Sequence, residues 1–262
     1  MKRTLKDIFL SIFIWLFMLI TSFLYIPWSL FALLLFILYD RKRKHFLLIH
    51  RVWCNSVAKV YPGWKYRHEG FENINPKQHY VIVSNHQSFV DILLLSFLPL
   101  TFRWTSKRSV FLFPIFGWQF WMGGHLSIVR GSEKSRKKLI EKGIKSLREG
   151  ISVLIFPEGT RSKTGEIGPF KPGGFIMALK TKSPILPVVI SGSARTLPRN
   201  SWVIREKTYP VVRVLPPIET INISENDIQS LMDDVREKMI EAKKETDIEN
   251  EKLLKEWIGD RE

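Results

Sequence analysis

The chain has 262 residues, 45% of them hydrophobic, and 40 Lys and Arg against 25 Asp and Glu give it a formal net charge of +15. An apolar content near one half excludes a disordered polyelectrolyte, because enough surface can be buried to offset the entropy of ordering. The length suits one large domain or one domain with an appendage, and the single cysteine, Cys54, excludes a disulfide framework.

The first element is apolar. No charged residue occurs in residues 8–39, a stretch dense in Phe, Leu, Ile and Trp, and about 18 such residues already suggest membrane insertion. It exceeds the apolar core of a signal peptide and no small-residue cleavage site follows, so it is expected to be retained. Lys2, Arg3 and Lys6 precede it, and Arg41, Lys42, Arg43 and Lys44 follow it. Basic flanks favour the cytoplasmic side, which one straight span cannot satisfy at both ends. The expectation is a helical hairpin bent near Pro27, with residues 8–26 entering one leaflet and residues 28–39 returning; one tilted span is the alternative.

Beyond a basic connecting segment, β-branched runs alternate with helical patterns. Residues 79–84 (HYVIVS) read as a buried strand and residues 92–98 as an apolar helix. Residues 134–149 place Leu139, Ile140, Ile144 and Leu147 on one helix face, with Gly150 as a stop. Residues 152–156 (SVLIF), 185–190 (ILPVVI) and 211–215 read as further buried strands. Such alternation indicates an α/β fold, a central and mostly parallel sheet flanked by helices, preceded by the N-terminal apolar hairpin. The organisation expected is an anchoring two-helix segment over 1–44, an α/β domain over 45–222 and a helical tail over 223–262.

The tail differs in charge. Residues 201–262 hold 10 Lys and Arg against 15 Asp and Glu, net −5, which leaves +20 on residues 1–200. Ser224 can cap a helix whose stripe is Ile228, Leu231, Met232, Val235 and Met239. The pattern weakens beyond Lys243, where a frayed or extended end is expected.

Two strand ends carry chemistry. His86 follows the first strand, with Asp91 five residues on. A carboxylate can hold a histidine in one tautomer as a general base, provided the chain turns tightly between them; a histidine capping the helix is the structural alternative. Glu158, Gly159, Thr160 and Arg161 follow the strand at 152–156. A guanidinium beside a flexible glycine can grip a phosphate bidentately, though a turn with a surface salt bridge has the same composition. Strand ends of one sheet converge on ligand crevices, so the two loops together say more than either alone.

The pair NHQSFVD (residues 85–91) and FPEGTRS (residues 156–162) resembles the first and third signature blocks of the glycerolipid acyltransferases, most closely the 1-acylglycerol-3-phosphate acyltransferases. KRSVFLFPIFG (residues 107–117) followed by Ile128, Val129 and Arg130 resembles the second block, and LPVV (residues 186–189) the fourth. FKPGGF (residues 170–175) is similar to the stretch that follows the third. The second block departs from the family at Arg108 and Ser109, where an acidic residue and a leucine are common.

The resemblance implies that His86 takes a proton from a substrate hydroxyl as it attacks an acyl thioester, with Asp91 supporting the imidazolium. It implies that Glu158, Gly159 and Arg161 bind the acceptor's glycerol phosphate, with Lys107 and Arg130 adding positive charge and Pro187 shaping the pocket wall. The substrates implied are acyl-CoA or acyl carrier protein and lysophosphatidic acid; no cofactor is implied, and the setting is the cytoplasmic face of the cell membrane. Another lysophospholipid or glycerol 3-phosphate is an alternative acceptor, and a membrane-bound lipid hydrolase is the alternative from another class. Neither Ser84 nor Ser88 sits in a nucleophile elbow. His45, His50, His68, His79 and His125 show no metal-ligand spacing, and no nucleic-acid-binding signature occurs. An anionic bilayer and a phosphorylated lipid therefore account for the basic charge better than nucleic acid does.

Overall fold

The computed structural model describes residues 4–36 and 39–259. Lys2 and Arg3 of the basic flank, residues 37–38 of the apolar run and the last three residues of the tail lie outside the described residues. The β-branched runs become strands because their side chains are buried on both sheet faces, as parallel strands require. The sheet contains β1 (Arg67–Glu69), β2 (Val81–Ser84), β3 (Phe102–Lys107), β4 (Leu126–Ile128), β5 (Ser152–Ile155), β6 (Ile185–Ser191) and β7 (Val211–Val214). Their order is β1-β7-β6-β2-β5-β3-β4; β6 and β7 run antiparallel and the other pairs run parallel. The runs at 79–84, 152–156, 185–190 and 211–215 thus hold as strands. β1, β3 and β4 are additions that composition did not announce.

Alternation along the central strands divides the interior. Ile82, Leu154, Leu186 and Val188 face one core, and Val81, Val83, Val153, Ile155 and Val189 face the other. Helices α1 (Leu5–Phe36), α2 (Lys44–Val60) and α3 (Val90–Leu95) cover the first face, with α4 (Arg108–Phe111) and α5 (Phe116–Met122) beside them. α6 (Glu133–Arg148), α7 (Gly173–Thr181) and α9 (Ile228–Gly259) cover the second, and the single-turn α8 (Ser193–Thr196) follows β6. Ser132 caps α6 by accepting from the Ser135 N–H at 3.2 Å, and Gly150, at φ 75°, ends the turn that follows it.

Two expectations are corrected. Pro27 does not divide a hairpin: it lies inside the continuous helix α1. A proline removes one helical hydrogen bond, and an apolar helix this long continues past that loss. The two-helix element is instead α1 with α2. Asp7, Ser11, Ile14, Met18, Ser22, Ser29 and Ala32 are buried at helical spacing, so the small and polar residues of α1 face the protein. Ser11 Oγ accepts from the Ile204 N–H at 2.8 Å, and Trp53 Nε1 of α2 donates to Thr21 Oγ1 at 3.2 Å. The other faces expose Phe9, Leu16, Ile20, Phe23, Leu24 and Trp28, the reverse of a soluble helix.

The acidic tail is the second correction. α9 runs unbroken to Gly259. Its far half is held by polar contacts that a hydrophobic stripe does not reveal. Arg213 of β7 pairs with Glu245 at 2.9 Å and Glu249 at 2.6 Å, and Asn250 Nδ2 donates to the Tyr209 carbonyl.

Candidate active site

The register places Val83 of β2 beside Ile155 of β5, and Ser84 beside Val188 of β6. The loops leaving β2 and β5 therefore emerge side by side at the carboxyl edge of the sheet, where α/β folds bind ligands. Asn85 fixes the first loop. Its buried amide accepts from the Ile190 N–H at 2.8 Å and donates to the Ile190 carbonyl at 2.9 Å.

The next residue is His86. Its Nδ1 lies 2.8 Å from Asp91 Oδ2, and the same oxygen accepts from the backbone N–H groups of Gln87 at 2.7 Å and Ser88 at 2.9 Å. The tight turn that the spacing requires is thus built around the carboxylate, in the first turn of α3. Asp91 is fully buried, while the His86 side chain is 18% exposed. With Nδ1 engaged by Asp91, Nε2 presents its lone pair, which is the arrangement of an oriented general base. The ring is stacked on Phe156, 4.0 Å between centroids, so its plane is fixed from the second loop.

Glu158 occupies a different place from the one the resemblance implies. Its Oε1 accepts from the His86 N–H at 3.2 Å and its Oε2 from the Gly168 N–H at 3.0 Å, and it does not line the cavity. Burial raises its pKa, against the lowering effect of these two bonds. It is a brace between loops. Pro187 likewise lies off the cavity, within β6 and paired with Val83.

The cavity, about 1020 Å³, is lined by His86, Lys107, Arg130, Gly159 and Arg161. Five of the seven residues singled out by sequence are therefore brought to one cavity, Asp91 stands behind His86, and Glu158 stands outside. Lys171 and Arg136 also line it. Lys171 belongs to FKPGGF, a stretch whose sequence alone assigns it no role; Arg136 carries no local signal, because the first turn of α6 reaches the cavity only through packing. Gly159 has φ 72°, and a Cβ there would sit 2.8 Å from Lys171 Nζ, so glycine gives the ammonium its space. The Arg161 carbonyl accepts from Arg199 Nη1 at 3.1 Å, which steadies the loop.

An apolar arm extends beneath α1 and α2, walled by Trp15, Met18, Trp53, Leu93 and Phe120. Cys54 also reaches it, but burial pushes its thiol up to about 12, so it is no nucleophile. Ser84 and Ser88 spend their hydroxyls on the carbonyls of Asn85 and Leu197, at 3.1 and 2.8 Å. His86 lines one cavity whose walls carry both cationic and apolar side chains.

The chain is similar to known proteins in both sequence and fold. The acyltransferase family model matches residues 65–191. The chain is 38% identical over 169 residues to the chloroplastic 1-acyl-sn-glycerol-3-phosphate acyltransferase BAT2 of Brassica napus, covering 64% of this chain and 48% of that protein. It spans about half the length of such plant relatives. It is also 34% identical over 176 residues to the 1-acyl-sn-glycerol-3-phosphate acyltransferase of Pseudomonas aeruginosa, covering 65% of this chain and 67% of that protein. The fold matches the crystal structure of the 1-acyl-sn-glycerophosphate acyltransferase PlsC from Thermotoga maritima with a TM-score of 0.76 at 24% identity, over 91% of this chain and 96% of that one. On the match to the Pseudomonas protein, together with the family model, the chain belongs to the glycerolipid acyltransferase family.

Proposed function

We propose that the protein transfers a fatty acyl group from an acyl thioester to the 2-hydroxyl of lysophosphatidic acid, forming phosphatidic acid for phospholipid synthesis. One observation carries the reading: the His86–Asp91 pair, 2.8 Å apart, opens on the same cavity as Arg161 and Lys171. His86 Nε2 takes the hydroxyl proton as that oxygen attacks the thioester carbonyl. Asp91 stabilises the imidazolium that forms. Collapse of the tetrahedral intermediate breaks the carbon–sulfur bond, and the imidazolium proton goes to the leaving thiolate. Proton transfer of this kind contributes roughly 10²–10⁴-fold.

Arg161, Lys171, Lys107, Arg130 and Arg136 form the cationic end and would hold the acceptor phosphate, with the acyl chain in the apolar arm. The donor is acyl-CoA or acyl carrier protein. No resident cofactor takes part in this scheme. The exposed apolar side of α1, with Leu112, Phe113, Trp118 and Trp121 also exposed, supports a protein seated in one leaflet, its catalytic domain on the cytoplasmic face of an anionic cell membrane.

The test is product formation by purified protein in liposomes, with both donors, against lysophosphatidic acid, other lysophospholipids and glycerol 3-phosphate. Phosphatidic acid that depends on added lysophosphatidic acid, and that is lost in His86→Ala, is expected. Free fatty acid released without any acceptor would instead mark a hydrolase.

A further inference from the structure

Helix α6 presents a charged face that packing does not explain. Leu139, Gly143, Ser146 and Leu147 form its buried side, and the leucines join the second core. Its 16 residues hold seven Lys and Arg against two Glu. Glu133 takes Lys137 at 3.2 Å, and Glu149, just past the helix, lies 4.0 Å from Lys145. Glu141 is the remaining carboxylate of the helix. Lys134, Lys138 and Lys142 stand exposed at successive spacings of four, and none of the three has an ion pair among the described residues. Like charges four apart on a helix repel, and a lysine in the first turn opposes the positive end of the helix dipole. The row therefore weakens the helix that carries it, and exposure to water alone gives nothing in return.

The place of the row says what it meets. Ser132, which caps α6, and Arg136, in its first turn, both line the cavity that His86 lines, and Arg136 is exposed at the surface. From that end the helix runs about 24 Å. It covers the sheet face opposite to the one that α1 and α2 cover, so the sheet separates the row from the exposed apolar side of α1. A bilayer that takes up α1 is thus on the far side. A row of cations this long exceeds the span of one nucleotide, and it matches a protein surface that bears carboxylates. We propose that this face of α6 docks an acidic acyl carrier protein, which delivers the thioester to His86 past Ser132 and Arg136. The proposal rests on the acyltransferase reading above and deepens it by assigning the carrier of the donor.

The experiment supplies one acyl chain, as the thioester of acyl carrier protein and as that of CoA, to the full-length protein in phosphatidylcholine liposomes with lysophosphatidic acid held constant. Lys138→Glu combined with Lys142→Glu is expected to lower kcat/KM for the carrier thioester about tenfold or more, and to leave that for acyl-CoA within about twofold. Wild-type turnover of the carrier thioester should also fall as salt rises, more steeply than in the variant. Lys138→Gln with Lys142→Gln serves if charge reversal impairs folding. Binding of acyl-free carrier protein, read by co-flotation with the loaded liposomes, should fall in the same variants, and it is decisive where CoA thioesters are not turned over. Equal losses with both donors overturn the proposal, as do unchanged binding and use of the carrier. A loss seen only in anionic liposomes also overturns it and makes the row a lipid contact. A wild type that uses acyl-CoA but not the carrier thioester overturns it and leaves acyl transfer standing; turnover of neither donor overturns both readings.

Discussion

The backbone N–H of His86 donates to the carboxylate of Glu158 across the crevice, at 3.2 Å, so the residue proposed as the base is positioned by the loop that carries Gly159 and Arg161, two of the proposed phosphate ligands. The second oxygen of Glu158 takes the Gly168 N–H at 3.0 Å. Glu158→Gln keeps the shape but turns an amide donor toward one of these N–H groups, at a cost of about 1–3 kcal/mol. Thermal unfolding should show that loss. Kinetics should show a fall in kcat of about tenfold with little change in the acceptor KM. A defect confined to the acceptor KM would return Glu158 to the phosphate ligands.

Asp91 is fully buried and gives one oxygen to His86 and to two backbone N–H groups. Asp91→Asn removes the negative charge that the imidazolium needs and alters the tautomer held at Nδ1. The expected loss in kcat is about a hundredfold or more, with both KM values nearly unchanged. Steady-state kinetics with each substrate varied in turn checks this. A kcat within about threefold of wild type would remove Asp91 from the mechanism.

The sequence shows the two loops because each is local: a buried strand ends, and the reactive residues follow within seven positions. What it hides is made by packing. Lys171 and Arg136 reach the cavity from segments with no strand end of their own. Glu158 looks like a phosphate ligand in FPEGTRS, and only the backbone bonds to His86 and Gly168 reveal a brace. In α1 the serines at 11, 22 and 29 mark the protein-facing side, yet mean hydropathy drowns so small a signal. β4, three residues long, and the end of α9, held by Arg213 and Asn250, lie below what hydrophobic periodicity can register.

Lys171 is expected to bind the acceptor phosphate beside Arg161. Lys171→Ala and Arg161→Ala should each raise the KM for lysophosphatidic acid about tenfold or more, and leave the donor KM nearly unchanged. Gly159→Ala should give a milder form of the same defect, since its Cβ would stand 2.8 Å from Lys171 Nζ at φ 72°. It should also lose about 1 kcal/mol of stability from the left-handed backbone. A rise in the donor KM in these variants would move the phosphate site elsewhere.

His50 predicts an acid-sensitive fold. An unfolded chain protonates it near 6.5, whereas burial lowers the folded value to about 4. Between those values only the unfolded state takes up the proton, so stability falls as pH drops through that window, and this group adds no further loss below it. The gap corresponds to a loss on the order of 3 kcal/mol. Melting temperatures in detergent, for wild type and His50→Asn at about pH 7 and pH 4.5, check this. The wild type should lose more on acidification; equal losses would place the acid sensitivity elsewhere.

The two ends of α1 predict the topology. Near its start Lys6 lies 2.6 Å from Glu206; past its other end Lys42 donates to the Glu149 carbonyl at 3.0 Å and Arg43 to the Met122 carbonyl at 2.8 Å. All three partners belong to the same α/β domain. A single crossing would separate these ends by a hydrocarbon core of about 30 Å, although the 32-residue helix, about 48 Å long, has ample length to cross. The helix is therefore expected to lie along the bilayer, with its exposed Leu16, Ile20 and Leu24 in the acyl region. Thr4→Cys and Lys42→Cys test this, because the native thiol, Cys54, is buried and its background labelling is low. Both engineered thiols should react with an impermeant maleimide only in vesicles that present the cytoplasmic face. Labelling of either one from the opposite side would mean that α1 crosses the membrane.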